Sequence, residues 1–494
     1  MQRPSTTGNS WTSSSLEFPV VLNRGSRRVC AELRDAVRDA IRDGRLHPGD
    51  PLPSSRCLAS DLGVARGTVV EAYEQLIAEG WLLARQGQGT RVAHGPTAAP
   101  PAAEPPPAPA PQHDLRPGHA DPSSFPRREW AATMRKVLAE APDEAFGYAD
   151  PRGRPELRTA LAGYLGRARG LRVTAAHLLV CTGAGHGMGL AFRALAARGA
   201  SRVAVEDPGA ARLREIATAS GLQPARLPCD ELGARTDALP ALAVDAVVIT
   251  PAHQFPLGVT LGSRRRGELL AWACSGGGII IEDDYDGELR YDRQPVGAVQ
   301  ALDPGRVIYA GTTSKSLAAA LRVGWLAVPP HLTESLVRSA QAVNAAPSSL
   351  EQLALARFIE TGSFDRHIRR MRGIYRRRRD LLIATLAAHA PALRVGGIAA
   401  GGHALVRLPP GGPSELQVIA AARRHGIALA GLADYRFAGG PAGEHGPALV
   451  IGYGSPAGHS YRNAIAALGS YLRTRYPPGD PARARKAAAP AGSK

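Results

Sequence analysis

The stretch Gly311-Thr-Thr-Ser-Lys315-Ser-Leu-Ala-Ala-Ala-Leu-Arg322 follows an apolar run, Arg306-Val-Ile-Tyr-Ala310, and thirty positions before its lysine lies the end of an acidic segment, Glu282-Asp-Asp-Tyr285. A short apolar run bounded by polar residues predicts a buried strand. Lys315 is then an amine just past a strand end, flanked by the hydroxyls of Thr312 and Ser314 and followed seven residues later by Arg322. A Schiff base with pyridoxal 5′-phosphate (PLP) needs these parts: a nucleophilic amine, phosphate donors and a fixed counter-charge.

Further buried-strand candidates recur around this one: Leu178-Leu-Val-Cys-Thr182, Arg202-Val-Ala-Val205, Ala246-Val-Val-Ile-Thr250, Gly278-Ile-Ile-Ile281 and Val323-Gly-Trp-Leu-Ala-Val328. Helical patterns separate most of them, which predicts an α/β domain with a mostly parallel sheet covered on both faces and ligands at the carboxyl ends of its strands. Gly183-Ala-Gly185 follows the first strand, before a helix expected to begin near His186. Small residues there let backbone N–H groups approach a phosphate at a helix N-terminus, although tight packing alone also favours them. Asp283 suits the protonated pyridine nitrogen of PLP and Tyr285 its phenolate oxygen. Taken alone, Glu-Asp-Asp-Tyr also suits an acidic turn or a metal site.

The beginning of the chain has a different rhythm. Val29, Leu33, Val37 and Ile41 mark a helix ending near Gly44; Ser54 or Ser55 caps a second helix through Leu62; Gly63 interrupts; and a third runs from about Arg66 to Glu79 with Val69, Tyr73, Leu76 and Ile77 inward. Two short helices around a Gly-containing turn form a helix-turn-helix, and Trp81-Leu-Leu-Ala-Arg-Gln-Gly-Gln-Gly-Thr-Arg-Val92 reads as a two-stranded wing. Ser54, Ser55, Arg56, Arg66, Thr68, Arg85, Thr90 and Arg91 are the polar groups placed to meet phosphates and base edges of double-stranded DNA.

Between these parts, half of the residues from Pro96 to Pro111 are proline, so residues 93–113 are expected to form an extended linker, with disordered ends at 1–25 and 476–494. Residues 26–92 form one expected domain and 114–475 the other. The polar start and the lack of any long apolar stretch predict a cytoplasmic chain without a membrane partner. Five scattered cysteines argue against a disulfide framework and a zinc site, and are expected to be reduced and mostly buried. The net charge of +17 invites an acidic partner, yet residues 26–92 hold ten Arg against nine carboxylates. Much of the excess lies in Arg366-His-Ile-Arg-Arg-Met-Arg-Gly-Ile-Tyr-Arg-Arg-Arg-Arg379, read as a solvated helix face or a supplementary phosphate-contacting surface.

Pro48-Gly-Asp-Pro-Leu-Pro-Ser-Ser-Arg56, Leu62-Gly-Val64, Thr68-Val and Glu71-Ala-Tyr-Glu-Gln-Leu76 closely resemble the winged helix-turn-helix of the GntR family, with departures at Ala65 and Gly67 where larger or hydroxylated residues are common. Tyr148-Ala-Asp-Pro-Arg-Gly153, Val205-Glu-Asp-Pro-Gly209, Thr250-Pro-Ala-His-Gln-Phe-Pro-Leu-Gly258, Ile281-Glu-Asp-Asp-Tyr-Asp286 and Thr313-Ser-Lys315 with Leu321-Arg-Val-Gly-Trp325 resemble the fold-type I aminotransferases. Together the halves resemble the MocR subfamily of transcriptional regulators. The resemblance implies that Lys315 forms the internal aldimine, that Asp283 and Tyr285 meet the ring, and that Thr312, Ser314, Arg322, Gly183 and Ala184 hold the phosphate. It also implies that Tyr148 reaches the phosphate of a neighbouring subunit in a homodimer.

Three positions depart from that pattern: Ala210 replaces a ring-stacking aromatic, Val450 replaces an arginine that binds a substrate carboxylate, and no proline lies between Lys315 and Arg322. Valine cannot form a bidentate pair with a carboxylate, so amino-acid turnover requires Arg212 or another cation to substitute. The expected function is a PLP-dependent transcription factor responding to an amino-acid or amine effector. The alternatives are a working aminotransferase with an accessory DNA-binding head and a regulator whose second domain is only a dimerisation scaffold.

Overall fold

Apolar spacing in the first helix buries Leu33, Val37 and Ala40 along one face of Val29–Arg42 in the computed structural model. The structure describes residues 28–85, 89–93, 110–118, 120–292, 296–439 and 445–477. The expected disordered N-terminus, residues 94–109 of the expected linker, residues 86–88 between the wing strands and residues 478–494 lie outside the described residues. Ser54 caps the helix Ser55–Leu62 by accepting a hydrogen bond from the Cys57 amide at 3.2 Å, and Gly63, at φ 64°, ends it in the left-handed region. The third helix, Arg66–Ala78, buries Val69, Ala72, Tyr73 and Leu76, while Ile77 lies half-buried at the core margin. Strands Leu82–Arg85 and Gly89–Val92 pair antiparallel as the wing, and Leu82 and Val92 close the same core.

The second unit, Pro109–Lys494, is built on an eight-stranded sheet. Its order is Leu178–Cys181, Gly324–Ala327, Val307–Thr312, Ile279–Asp283, Ala246–Ile249, Arg202–Asp207, Gln223–Asp230, Gly233–Ala234. Gly324–Ala327 runs antiparallel to both neighbours, the last short strand is also antiparallel, and the remaining pairs are parallel. Carboxyl ends from six strands therefore face one edge of the sheet, where loops can gather a site. The strand Gln223–Asp230, broken in sequence by Pro224 and Pro228, was not among those expected. A smaller antiparallel sheet orders Arg394–Gly396, His403–Arg407, Ala448–Gly452 and Ala430–Gly431.

Strand alternation divides the apolar side chains between the two sheet faces. Leu178, Val180, Tyr309 and Trp325 join the helices Arg127–Glu140, Pro155–Arg169 and Ser349–Glu360 in one cluster. Leu179, Cys181, Ile281, Ile308 and Leu326 join Ala184–Ala196 and Thr333–Val343 on the opposite face. Gly311 permits this packing, because a Cβ there would sit 2.3 Å from the Trp325 indole nitrogen.

Four expectations need correction. His113, assigned to the linker, belongs to the second unit: its amide donates to the Gly426 carbonyl at 2.9 Å beside a parallel pairing of His113–Asp114 with Ile427–Ala428. Tyr476, assigned to the tail, is buried in an apolar cluster directly after the helix Tyr461–Arg475, and its amide donates to the Leu472 carbonyl at 2.8 Å. Among the cysteines, all free, only Cys181 and Cys229 are buried, and Cys274 is exposed. The arginine run on the helix Ser363–His389 is neither simply solvated nor wholly available to phosphates. Arg372 donates to the Glu288 carbonyl at 2.6 Å, Arg376 to that of Tyr291, and buried Arg378 to Asp121 at 2.5 Å and to the Tyr453 carbonyl at 3.1 Å. These guanidiniums satisfy backbone oxygens that the helix packs against.

One buried ion pair crosses from the helices to the sheet: Arg169 Nε donates to Asp284 at 2.6 Å, and Tyr309 donates to the same oxygen at 2.6 Å. Replacing Arg169 with leucine leaves the carboxylate buried without its cation. Urea unfolding of this variant is expected to show a loss of about 3–5 kcal/mol, whereas a loss below about 1 kcal/mol rules out a supporting role for the pair.

Candidate functional site

A cavity of about 380 Å³ opens at the edge where the strand ends converge. Its walls include Gly183 and Ala184 after the first strand, Ala210 after Arg202–Asp207, Thr250 after Ala246–Ile249, Asp283 at the end of its own strand, Thr312 at the end of Val307–Thr312, and Ser314, Lys315 and Arg322 beyond it. The sheet thus brings together eight of the nine residues expected at a cofactor site. Tyr148, the ninth, is fully exposed and lies outside the cavity.

Alternation at the acidic strand end decides which carboxylate faces the cavity. Glu282 accepts from the amides of Val299 and Gln300, both at 3.0 Å, and Asp284 is held by Arg169 and Tyr309. Asp283 projects to the other face, where its Oδ1 is buried with no partner. Burial, reinforced by the negative charges of Asp284, Glu206 and Asp286, pushes its carboxyl up to about 7. Tyr285 donates to the His253 carbonyl at 3.0 Å and lies 3.1 Å from His253 Nδ1.

Lys315 sits in a π-helical turn, Ser314–Ala318, a geometry that recurs at functional sites. Its ammonium donates to the Gly118 carbonyl, and burial lowers its pKa against the opposing pull of Asp286 and Asp283. Thr312 Oγ1 donates to Ser314 Oγ at 2.9 Å, so the two hydroxyls form one polar wall. Arg322 has φ 52°, an uncommon conformation for a side chain of its size. Gly183, at φ 89°, precedes a helix that starts at Ala184, two residues earlier than expected. A Cβ at Gly183 would lie 3.7 Å from the Arg322 guanidinium, and one at Gly185 would lie 3.4 Å from that of Arg212. Two cations therefore border the N-terminus of the helix Ala184–Ala196.

Other groups were missed by sequence reasoning. Asp286 lines the cavity, its Oδ2 2.8 Å from His253 Nδ1 and its Oδ1 buried without a partner. Glu206, also in the wall, accepts from the Thr250 amide and Gln254 Nε2, each at 3.2 Å, and burial pushes it up to about 7. His403, whose pKa burial drives well down, lies tilted against His253 with ring centroids 4.9 Å apart. His253, Asp286 and His403 are also close enough together to suggest a metal, but the His253–Asp286 hydrogen bond already occupies one atom of each. The quoted segments Thr250–Gly258 and Ile281–Asp286 contained a signal for His253 and Asp286. No local pattern marked His403. Ala210 lines the cavity as expected of a stacking position, whereas Val450 is buried in an apolar cluster with Leu405 and Leu432 and is not a wall residue.

In the N-terminal unit, Arg56, Arg66, Arg85 and Arg91 are exposed, as is Ser54, while Ser55, Thr68 and Thr90 are half-buried. Ser54 already caps its helix, and Arg66 Nε approaches Ser55 Oγ at 3.5 Å. Arg91 donates to the Gly49 carbonyl at 2.9 Å, tying the second wing strand to the turn before the second helix. Ala65 occupies the N-cap of Arg66–Ala78 and offers no side-chain cap, leaving first-turn N–H groups for an outside acceptor.

Comparison with known proteins agrees with both halves. Residues 119–425 match the family "Aminotransferase class I and II", whose members use PLP, and residues 30–92 match "Bacterial regulatory proteins, gntR family", whose winged helices bind DNA. The chain is 33% identical to the pyridoxine biosynthesis transcriptional regulator PdxR of Corynebacterium glutamicum, over 92% of this chain and 98% of that protein. It is 35% identical to the HTH-type regulator YhdI of Bacillus subtilis, over 83% and 89% respectively, and 33% identical to the probable rhizopine catabolism regulatory protein MocR of Rhizobium meliloti, over 72% and 77%. A kynurenine aminotransferase of Pyrococcus horikoshii shares the fold at TM-score 0.65 and 24% identity, covering 73% of this chain and 90% of that one. No helix among the described residues is long and apolar enough to cross a membrane. The chain belongs to the MocR subfamily of GntR-type transcriptional regulators, a winged helix-turn-helix joined to an aminotransferase class I and II domain.

Proposed function

We propose that this protein is a transcriptional regulator whose aminotransferase-like unit holds PLP on Lys315 and serves as its effector and dimerisation domain. One observation carries the reading: a lysine, a carboxylate with one buried and unpaired oxygen, and an arginine-flanked helix N-terminus line one cavity in the same chain as a DNA-binding winged helix. The cavity suits the cofactor on its own chemistry. Asp283 Oδ1 lacks a partner, which a pyridinium N–H supplies, and the Gly183–Gly185 turn leaves room beside Arg322 for a phosphate.

When bound, PLP supplies an electrophilic aldehyde carbon and an electron-withdrawing ring. Burial around Lys315 favours its neutral, nucleophilic amine. Asp283 holds the ring nitrogen's proton by opposite charge, Tyr285 offers its hydroxyl to the phenolate oxygen, and Thr312, Ser314, Arg322 and the amides at Gly183 and Ala184 hold the phosphate. Tyr148, exposed in one copy, serves the site of a second copy. Effector binding shifts the geometry of the dimer and with it the fit of two winged heads to paired half-sites. Steady aminotransferase turnover is the weaker reading, because Val450 gives no cation to a substrate carboxylate and Ala210 gives no ring to stack.

Three measurements test this. The PLP-loaded protein is expected to show a visible absorption band that Lys315→Ala abolishes, while persistent multiple-turnover amino transfer supports the enzyme instead. In gel-shift titrations against DNA from its own upstream region, Arg66→Ala is expected to weaken binding and reduce the salt slope by about 1; unchanged affinity and slope for both Arg66→Ala and Arg91→Ala mean that the head is misassigned. The third concerns pH. Asp283 is raised from 3.8 to about 7 on folding, so the stability it contributes is present below its unfolded value and is lost as pH rises through about 7. Glu206, Glu282 and Glu288, raised to about 7 by burial, act in the same direction. Calorimetry of the cofactor-free protein is expected to show Tm falling between about pH 4 and about pH 7, with a shallower fall in Asp283→Asn.

A further inference from the structure

We infer that the effector taken by this cavity is a primary amine without a carboxylate, recognised through Asp286; the inference rests on the reading of Lys315 as the cofactor anchor. The argument is one of charge balance within the wall. Among the described residues lining the cavity, the cations are Lys315, Arg212 and Arg322. Both arginines border the Gly183–Gly185 turn, at the positive end of the helix Ala184–Ala196, where the phosphate of the cofactor would draw on both. Asp283 faces the ring nitrogen, and Glu206 is satisfied by Thr250 and Gln254.

Asp286 is the charge left over. One of its oxygens accepts from His253 Nδ1 at 2.8 Å, while Oδ1 is buried, lacks a partner and belongs to a residue only 3% exposed. The cation acting on it across the cavity is Lys315. With its amine committed to the cofactor, Lys315 would no longer be a free ammonium able to pair with Asp286. His253 is spent on the other Asp286 oxygen, and the nearby wall residues bring no further cation to Oδ1: Leu289, Phe255 and Tyr375 carry no charge, and burial keeps His403 neutral. An incoming ammonium restores the balance, and a buried carboxylate binds a cation far better than it tolerates being unpaired. A ligand carboxylate meets the opposite situation. The position that would offer it an arginine is Val450, enclosed among Leu405, Leu432 and Ala448, so the anion faces the field of Asp286 without compensation.

The test uses full-length protein loaded with PLP and dialysed free of unbound cofactor. Calorimetric titration compares propylamine, 1,4-diaminobutane and 4-aminobutanoate. The amines are expected to bind, with 1,4-diaminobutane at least about tenfold tighter than 4-aminobutanoate. Asp286→Asn is expected to erase most of that preference while retaining the visible cofactor band. Equal or tighter binding of 4-aminobutanoate by the unmutated protein overturns the inference without reliance on any variant, as does a failure of all three probes to bind a protein that shows the band. An unchanged preference in folded Asp286→Asn also overturns it. Absence of the band in unmutated protein instead removes the cofactor reading on which the inference stands, so the two failures are distinguishable.

Discussion

The pairing of Arg169 with Asp284, backed by the Tyr309 hydroxyl, fixes the orientation of the strand end on which the site depends. Asp284 is anchored to the helices on one face of the sheet, and Glu282 is anchored on the same side by two amides. Because strand side chains alternate, anchoring these two obliges Asp283 to face the opposite side, into the cavity. A one-residue slip would turn Asp283 away and bring Glu282 and Asp284 into the site. The lysine turn and the glycine turn are then set against Asp283 by the neighbouring strands of the same sheet.

Around that fixed point the cavity collects more acidic groups than its immediate hydrogen bonds neutralise. Asp283 and Asp286 each keep a buried oxygen without a partner, and Glu206 is pushed up to about 7 by burial. Unpaired buried charge is unfavourable in a ligand-free fold and is retained where a ligand resolves it. The opposite end of the cavity carries two guanidiniums beside a helix N-terminus. Such a separation of charge suits a molecule with an anionic end and a cationic ring nitrogen.

Most strands and all three N-terminal helices were legible, because apolar runs and four-residue spacing report burial directly. Gln223–Asp230 was not, since it buries only alternate residues, Ala225, Leu227 and Cys229, and two prolines lie among them. The arginines of the helix Ser363–His389 misled for a related reason. Charge in a sequence reads as solvent exposure, yet Arg372, Arg376 and Arg378 end on backbone oxygens supplied by segments distant in the chain. Arg91 likewise reads as a free wing cation, but the Gly49 carbonyl holds it.

The sequence by itself determined the two-part organisation, the strand ends, and the placing of Lys315, Thr312, Ser314 and Arg322 just beyond one of them, because each lies beside a local pattern that reports its position. Tertiary structure decided which of three consecutive carboxylates faces the cavity, that Arg212 flanks the glycine turn with Arg322, and that Val450 is closed into a core. It also brought His253, Asp286 and His403 together from three separate segments. Spacing along the chain fixes a residue's place on its own element. Which other element it meets follows from strand order and register, and these are set by burial across the whole sheet.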